Sequence, residues 1–239
     1  HTSRGGGCLD KVFSANFRGV IGCDGYSAYQ SYVSKSDGRL GLAACWAHVR
    51  RKFDEAKESY PKKASLILLL IQRLYQIEKE LRAKRSIPKL REVNRASHSA
   101  MIVHRIGKLL RRWKETRAFL PQSLMGKAVQ YTLNLWPHLQ TFLQHGEVEM
   151  DNNLMENAIR PTALGKKNWL FIGEAQAGET SAILYTLVEA CRSRKLDPWE
   201  YLREVLTRLP SMKHHEVGEI TPESWQRTHS QTIPKAPEQ

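Results

Sequence analysis

Between residues 62 and 84, Ile67, Leu70, Ile71, Leu74, Ile77 and Leu81 recur at spacings of three and four, and this stripe predicts an amphipathic helix. Pro88 ends it. Further helical regions are predicted over about 89–120 and 123–144, punctuated by Pro121 and Pro137. Earlier in the chain the period is different. Val20, Ile21, Gly22 and Cys23 form a short apolar run between Gly19 and Asp24-Gly25, which reads as a buried strand ending at Asp24. Leu40 to Cys45 reads as a second strand, and from Ala47 the spacing of Val49, Phe53 and Ala56 turns helical. Trp169 to Ile172 reads as an extended segment in a basic, aromatic stretch. Two closing helices follow. The first carries Ile183, Leu187, Ala190 and Cys191 on one face. The second opens on Asp197, Pro198 and Glu200, a capping signature, with Trp199, Leu202, Val205, Leu206 and Leu209 as its apolar face. Residues 211–239 read as a polar, frayed tail.

The chain has 239 residues, 41% hydrophobic and 26% charged, ordinary for a globular protein able to bury a core. The longest apolar run, Leu66 to Ile71, is far below the ~20 residues that span a bilayer, so no membrane-spanning segment is expected. The four cysteines are scattered and the N-terminus has no secretory pattern, which points to a reduced, cytoplasmic setting. The formal net charge of +13 favours a polyanionic partner, nucleic acid before an anionic membrane surface. Lys84 to Arg117 contains eleven Lys or Arg against Glu92 and Glu115, with Trp113 among them. Arg50, Arg51 and Lys52 form a second cluster, and Lys166 and Lys167 a third. Such residues contact phosphates without reading sequence, or simply keep a helix face in water.

Few residues can carry chemistry. Asp24, at a strand's carboxyl end, is either a turn former or a metal-binding carboxylate. Glu156 has two readings as well. With Asn153 as N-cap it closes a capping box, the reading spacing favours; otherwise it supplies a second metal carboxylate. Asp151 is a competing carboxylate. Cys45 and His48 make a C-x-x-H without a second ligand pair, which argues against zinc and for a buried Cys45 at a strand end.

Four segments taken in order resemble the insertion-sequence-sixty-six family of bacterial transposases: Asp24-Gly25-Tyr26-Ser27-Ala28-Tyr29, Cys45 to Phe53, Asp151 to Glu156, and Gly165 to Gly173. Tyr185, Pro198, Tyr201, Leu202 and Leu209 extend the likeness toward the C-terminus. The resemblance implies a predominantly helical α/β fold with a ribonuclease-H-like core, its first strands missing, and a large helical insertion. On that outline 1–60 and 146–210 belong to the core, 61–145 to the insertion and 211–239 to the tail. It implies a DDE-type DNA transposase, cutting and joining strands with two Mg²⁺ ions, which Mn²⁺ can replace. Asp24 takes the place of the second Asp and Glu156 that of the Glu, both as catalytic metal ligands. The first Asp is expected upstream of residue 1. Asp10 is not nominated for it, and Asn157 stands where the family usually has Arg. Arg50, Arg51, Lys52, Arg160, Lys166, Lys167 and Asn168 are the expected DNA contacts, with His48 a candidate assistant at the site. A homodimer assembled on paired DNA ends is a further expectation. Two rivals stay open: a catalytically inactive DNA-binding remnant of a transposase, and a basic RNA-binding protein, against which the missing RNA-binding signatures weigh.

Overall fold

A computed structural model describes residues 6–171 and 173–230. The chain divides into two compact units, His1–Glu156 and Asn157–Gln239.

The first unit opens with a 3₁₀ turn, Gly6–Lys11, and then a β-α-β motif. Strands β1 (Gly19–Cys23) and β2 (Leu40–Ala44) pair in parallel, with Gly19 opposite Leu40 and Cys23 opposite Ala44. Parallel neighbours cannot be joined by a tight hairpin. Here α1 (Ser27–Ser34) makes the crossover. Both strands lie where the short apolar runs place them. Among the described residues the sheet has these two strands, which fits a mostly helical α/β class.

Helix α2 (Trp46–Glu55) follows β2 directly and buries Trp46, Val49 and Phe53. Helix α3 (Pro61–Ala83) starts with proline, whose missing N–H costs nothing in a first turn. Its predicted stripe is the buried one: Ile67, Leu70, Ile71, Leu74 and Leu81, with Ile77 partly exposed. The region predicted over 89–120 is interrupted. It comprises α4 (Pro88–Asn94), a π-helical turn Arg95–Ser99 and α5 (Ala100–Glu115). The region over 123–144 divides into α6 (Leu124–Asn134), α7 (Trp136–Leu139) and a 3₁₀ turn Thr141–Leu143. Ser123 caps α6 by accepting from Gly126 N at 3.1 Å, one N–H orphaned at every helix start.

Trp46 sits at the centre of the core, fully buried and edge-to-face with Trp136 and Phe142. Its indole N–H donates to Leu139 O at 2.9 Å, so this large ring is buried with its polar atom satisfied. Thr141 Oγ1 donates to Leu42 O at 2.7 Å and ties the helical layer to β2.

The basic stretch Lys84 to Arg117 is not one solvated face. Arg95 and Glu78 are both 0% exposed and form a two-pronged ion pair, Nε to Oε1 and NH2 to Oε2, each at 2.8 Å. Arg95 NH1 also donates to the carbonyls of Phe142 and His145, both at 2.8 Å. Arg91 bridges Glu78 to Glu149, at 3.0 and 2.9 Å, and Arg82 closes on Glu149. The π-turn starts at Arg95, where the helix wall meets this buried pair.

Helix α8 (Asn153–Trp169) begins in the first unit. The second unit further contains α9 (Ala175–Ser193), α10 (Pro198–Arg208), a 3₁₀ segment His214–Ile220 and α11 (Pro222–Ser230). Several expectations are corrected here. Trp169 is the last residue of α8, not part of a strand, and Leu170 follows at φ 64°; Ile172 lies outside the described residues. Residues 211–230 are not a frayed tail. Ile220 and Trp225 pack with Cys191, Tyr201 and Val205 in a small core, and Tyr201 OH donates to Ile220 O at 2.8 Å. Residues 231–239 lie outside the described residues. That packing also turns α10: Tyr201 and Val205 are buried, while Trp199 and Leu206 of the predicted face are exposed. On α9, Cys191 is buried and Ile183 exposed. The Asp197 cap forms as expected, accepting from Trp199 N at 2.7 Å.

Candidate active site and nucleic-acid face

Because β1 and β2 run parallel and in register, their carboxyl ends coincide. Asp24 follows Cys23 on one strand, and Cys45 follows Ala44 on its neighbour. Open α/β sheets collect ligands and catalytic groups at this edge, where strand ends and helix starts meet.

Asp24 is exposed and serves both of its readings. One carboxylate oxygen accepts from Tyr26 N at 3.1 Å, a turn-forming bond that leaves the second oxygen out of the turn. The carbonyl of Asp24 accepts from Tyr131 OH of α6 at 2.8 Å, which anchors the turn to the helical layer. Burial, and the charges of Cys45 and Asp24, push the Tyr131 hydroxyl up to about 12. Tyr131 therefore stays a donor throughout the neutral range. Gly25 has φ 90°, and an added Cβ would meet Leu135 Cδ1 at 2.7 Å. Gly25→Ala is expected to cost about 1–3 kcal/mol, from left-handed strain and overpacking. Urea unfolding measures it; an unchanged midpoint would mean the turn is not held as described.

Cys45 is buried at the start of α2. Burial pushes its thiol up, against a downward pull from the backbone N–H groups of Asn152, His48 and Ala47. The peptide leading into α8 is pinned to the same place, since Trp46 N donates to Met150 O at 3.0 Å. These contacts set α2 and the start of α8 side by side.

The consequence is a pairing that spacing did not indicate. His48 Nε2, on the first turn of α2, lies 3.5 Å from Glu156 Oε1. Helix α8 begins at Asn153, so Glu156 falls one position later than a capping box requires. Its carboxylate turns to His48, and its N–H joins the helix ladder through Asn152 O at 3.0 Å. The capping reading is thereby corrected. The buried Nδ1 of His48 has no hydrogen-bond partner among the described residues.

Asp151 is engaged elsewhere. Its two oxygens accept from Asn153 N at 3.1 Å and from Asn153 Nδ2 at 2.9 Å. Burial first, then the charge and hydrogen bond of Asp151, push the Tyr75 hydroxyl well above its ordinary range. Asp151 thus organises the chain before α8.

His48 and Glu156 are brought together, and Asp24 lies at the same sheet edge as His48. Among the described residues no hydrogen bond or ion pair joins Asp24 to Glu156, and no group of three or more His, Cys, Asp or Glu is placed to hold a metal ion. Two carboxylates without a third ligand do not make a complete metal site.

Of the expected DNA contacts, Arg50 and Arg51 are exposed on α2, while Lys52 places Nζ 4.7 Å over the Tyr131 ring. Arg160, Lys166, Lys167 and Asn168 are exposed on the part of α8 that belongs to the second unit. Arg91 and Arg95 leave the nucleic-acid face, because Glu78 and Glu149 neutralise them. Sequence reading missed Tyr131 and Tyr75 as the groups holding the two acidic segments. No local signal marks them, since each acts across helices. No described helix is long and apolar enough to cross a membrane.

The family model described as "Transposase IS66 family" matches residues 1–180. The chain is 36% identical over 202 residues to the uncharacterized protein y4jD of Sinorhizobium fredii, covering 82% of this chain and 39% of that one. It is 33% identical over 214 residues to y4qI of the same organism, covering 86% and 38%. The chain therefore spans about two fifths of the length of these curated relatives. No solved structure matches it.

Proposed function

The chain belongs to the IS66 transposase family, and from that premise we propose that it contributes part of the catalytic centre of a DDE-type enzyme that cuts and joins DNA. Asp24 and Glu156 are its acidic residues. The β-α-β motif is then a piece of a ribonuclease-H-like core, with the α3–α7 layer as its helical insertion. The observation that carries this reading is the pairing of Glu156 with His48 at 3.5 Å, on a helix that leaves the same sheet edge as Asp24. A carboxylate used only for capping would turn to its own helix.

The residues divide the work. His48 orients the Glu156 carboxylate, and the Asp24 turn is fixed by Tyr131 and Gly25. Arg50 and Arg51 hold the DNA backbone, and Arg160, Lys166, Lys167 and Asn168 do the same from the second unit. Two carboxylates repel the phosphodiester they act on, and a divalent ion such as Mg²⁺ supplies the missing positive charge when bound. The described residues provide two carboxylates for such an ion and no three-ligand group. The same observation favours a second reading, a DNA-binding piece without chemistry of its own. The cellular setting that goes with either reading is the bacterial cytoplasm.

The test measures binding and strand cleavage on labelled duplex carrying the element's end sequence, in Mg²⁺ and in Mn²⁺. Binding is expected to fall by about a thousandfold or more between 50 and 200 mM salt, the scale for a protein neutralising several phosphates. Arg50→Ala with Arg51→Ala is expected to lower the salt slope by about two. Asp24→Asn should remove cleavage and leave binding within about twofold, since it takes no cation from the binding face. Salt-sensitive binding with no cleavage by the unaltered chain would establish the second reading. Absence of binding at low salt would overturn both.

A further inference from the structure

The helical layer of the first unit contains a pocket to which the reading above gives no role. It encloses about 510 Å³ and lies between the end of α5, the turn that follows and α6. Trp113, Lys114, Arg117, Phe119 and Gln130 are among the residues lining it. Trp113 and Phe119 are half-buried and meet edge to face, with centroids 5.4 Å apart and planes at 88°. Tyr60 buttresses Phe119 at 5.1 Å, and Lys63 places Nζ 4.7 Å from the same ring.

The pocket is constructed by specific contacts and is not a packing gap. A Cβ at Gly126 would lie 2.2 Å from Leu120 O, so α6 can approach the turn at Leu120 and Pro121 only with glycine there. Ser123 locks that approach, donating from Oγ to Leu120 O at 2.7 Å and accepting from Gly126 N.

Its chemistry is mixed in a particular way. Aromatic side chains share the pocket wall with two exposed cations, Lys114 and Arg117, and with Gln130, and no acidic residue is among the lining residues. Arg105, Lys108, Arg111 and Arg112 are exposed along α5, which leads to it. An aliphatic ligand would fill the apolar part and strand the cations. A flat heteroaromatic ring attached to a phosphate satisfies both. We propose that this pocket takes one unpaired base of a DNA strand, stacked against Trp113, with the adjoining phosphates on Lys114 and Arg117. A paired base inside a duplex cannot enter, so the base comes from a strand end or a locally opened site. This inference rests on the reading of the chain as a DNA-acting protein and names the DNA feature it would recognise.

The test uses fluorescence anisotropy with two labelled duplexes identical except at one position. One carries a bulged adenine there, and the other an abasic nucleotide. The adenine duplex is expected to bind about tenfold or more tightly, the scale of one base–aromatic stack. Trp113→Ala should abolish that preference and keep binding to the abasic duplex. Gln130→Trp fills the pocket from the exposed side of α6, leaves the core intact and should do the same, so it decides the matter even if the first variant does not fold. Lys114→Ala should weaken both duplexes about equally. Equal binding of the two duplexes by the unaltered protein would overturn the inference and leave the DNA reading intact. So would a preference that survives Gln130→Trp, since it would place the base elsewhere. Absence of salt-sensitive binding to either duplex would overturn both.

Discussion

Arg95→Met is expected to lower the free energy of unfolding by about 3–5 kcal/mol, the scale for breaking a buried ion pair from one side. Arg95 is fully buried, and its guanidinium meets four acceptor atoms: both oxygens of Glu78 and the carbonyls of Phe142 and His145. Methionine fills similar volume and satisfies none of them. Glu78 would remain fully buried with Arg91 as its remaining cation. Urea unfolding followed by circular dichroism measures the loss. A change under about 1 kcal/mol would mean the pair is not desolvated as described.

The same network sets an acid limit. Burial alone would raise the Glu78 carboxyl, but the hydrogen bonds and charges of Arg95 and Arg91 outweigh it, so the group lies below its ordinary value of 4.5. A lowered carboxyl adds stability that is fully present above its unfolded value. That stability is lost as pH falls through the folded one. The protein should thus weaken as pH drops below about 4.5. Arg95→Met removes the largest opposing partner, so its acid midpoint should lie higher. An unchanged midpoint would assign acid sensitivity to other carboxylates.

Glu156→Gln is expected to reduce strand cleavage by on the order of a thousandfold, because several kcal/mol of transition-state stabilisation depend on a catalytic carboxylate. The substitution keeps shape and length. Glu156 is partly exposed, with His48 Nε2 3.5 Å away, so stability should change by less than about 1 kcal/mol. Asp151→Asn makes the contrasting control. Asp151 accepts from Asn153 and Tyr75, so its loss should destabilise by about 1–3 kcal/mol. Cleavage per folded molecule should then survive. Measuring cleavage and thermal unfolding on both variants separates the roles. Activity lost in Asp151→Asn at full stability, with Glu156→Gln active, would exchange the assignments.

These two predictions differ in how far the sequence alone supports them. The stripe Ile67 to Leu81 locates α3, the small apolar runs locate β1 and β2, and Asp197-Pro198 locates the start of α10. Each of these rests on forces acting within one turn or one strand: side-chain periodicity, φ restriction at proline, and a cap bond two residues long. The order of four segments, Asp24 to Tyr29, Cys45 to Phe53, Asp151 to Glu156 and Gly165 to Gly173, likewise points to a family that the comparison with known proteins supports.

Tertiary structure decided the rest. Glu78 and Arg95 are charged, so pattern places both in water, yet both are 0% exposed because each neutralises the other. Trp199 and Leu206 looked apolar-inward, but the core of their unit formed on Tyr201 and Val205, where Ile220 and Trp225 arrive from later in the chain. Glu156 had two equally local readings, and spacing favoured the cap. Only the meeting of α2 with the start of α8, fixed by Trp46 N on Met150 O, turned its carboxylate to His48. Sequence specifies energies between near neighbours. Whether a charge is buried, which face of a helix is inner and where a carboxylate points are set by partners distant in the chain, and packing alone brings those together.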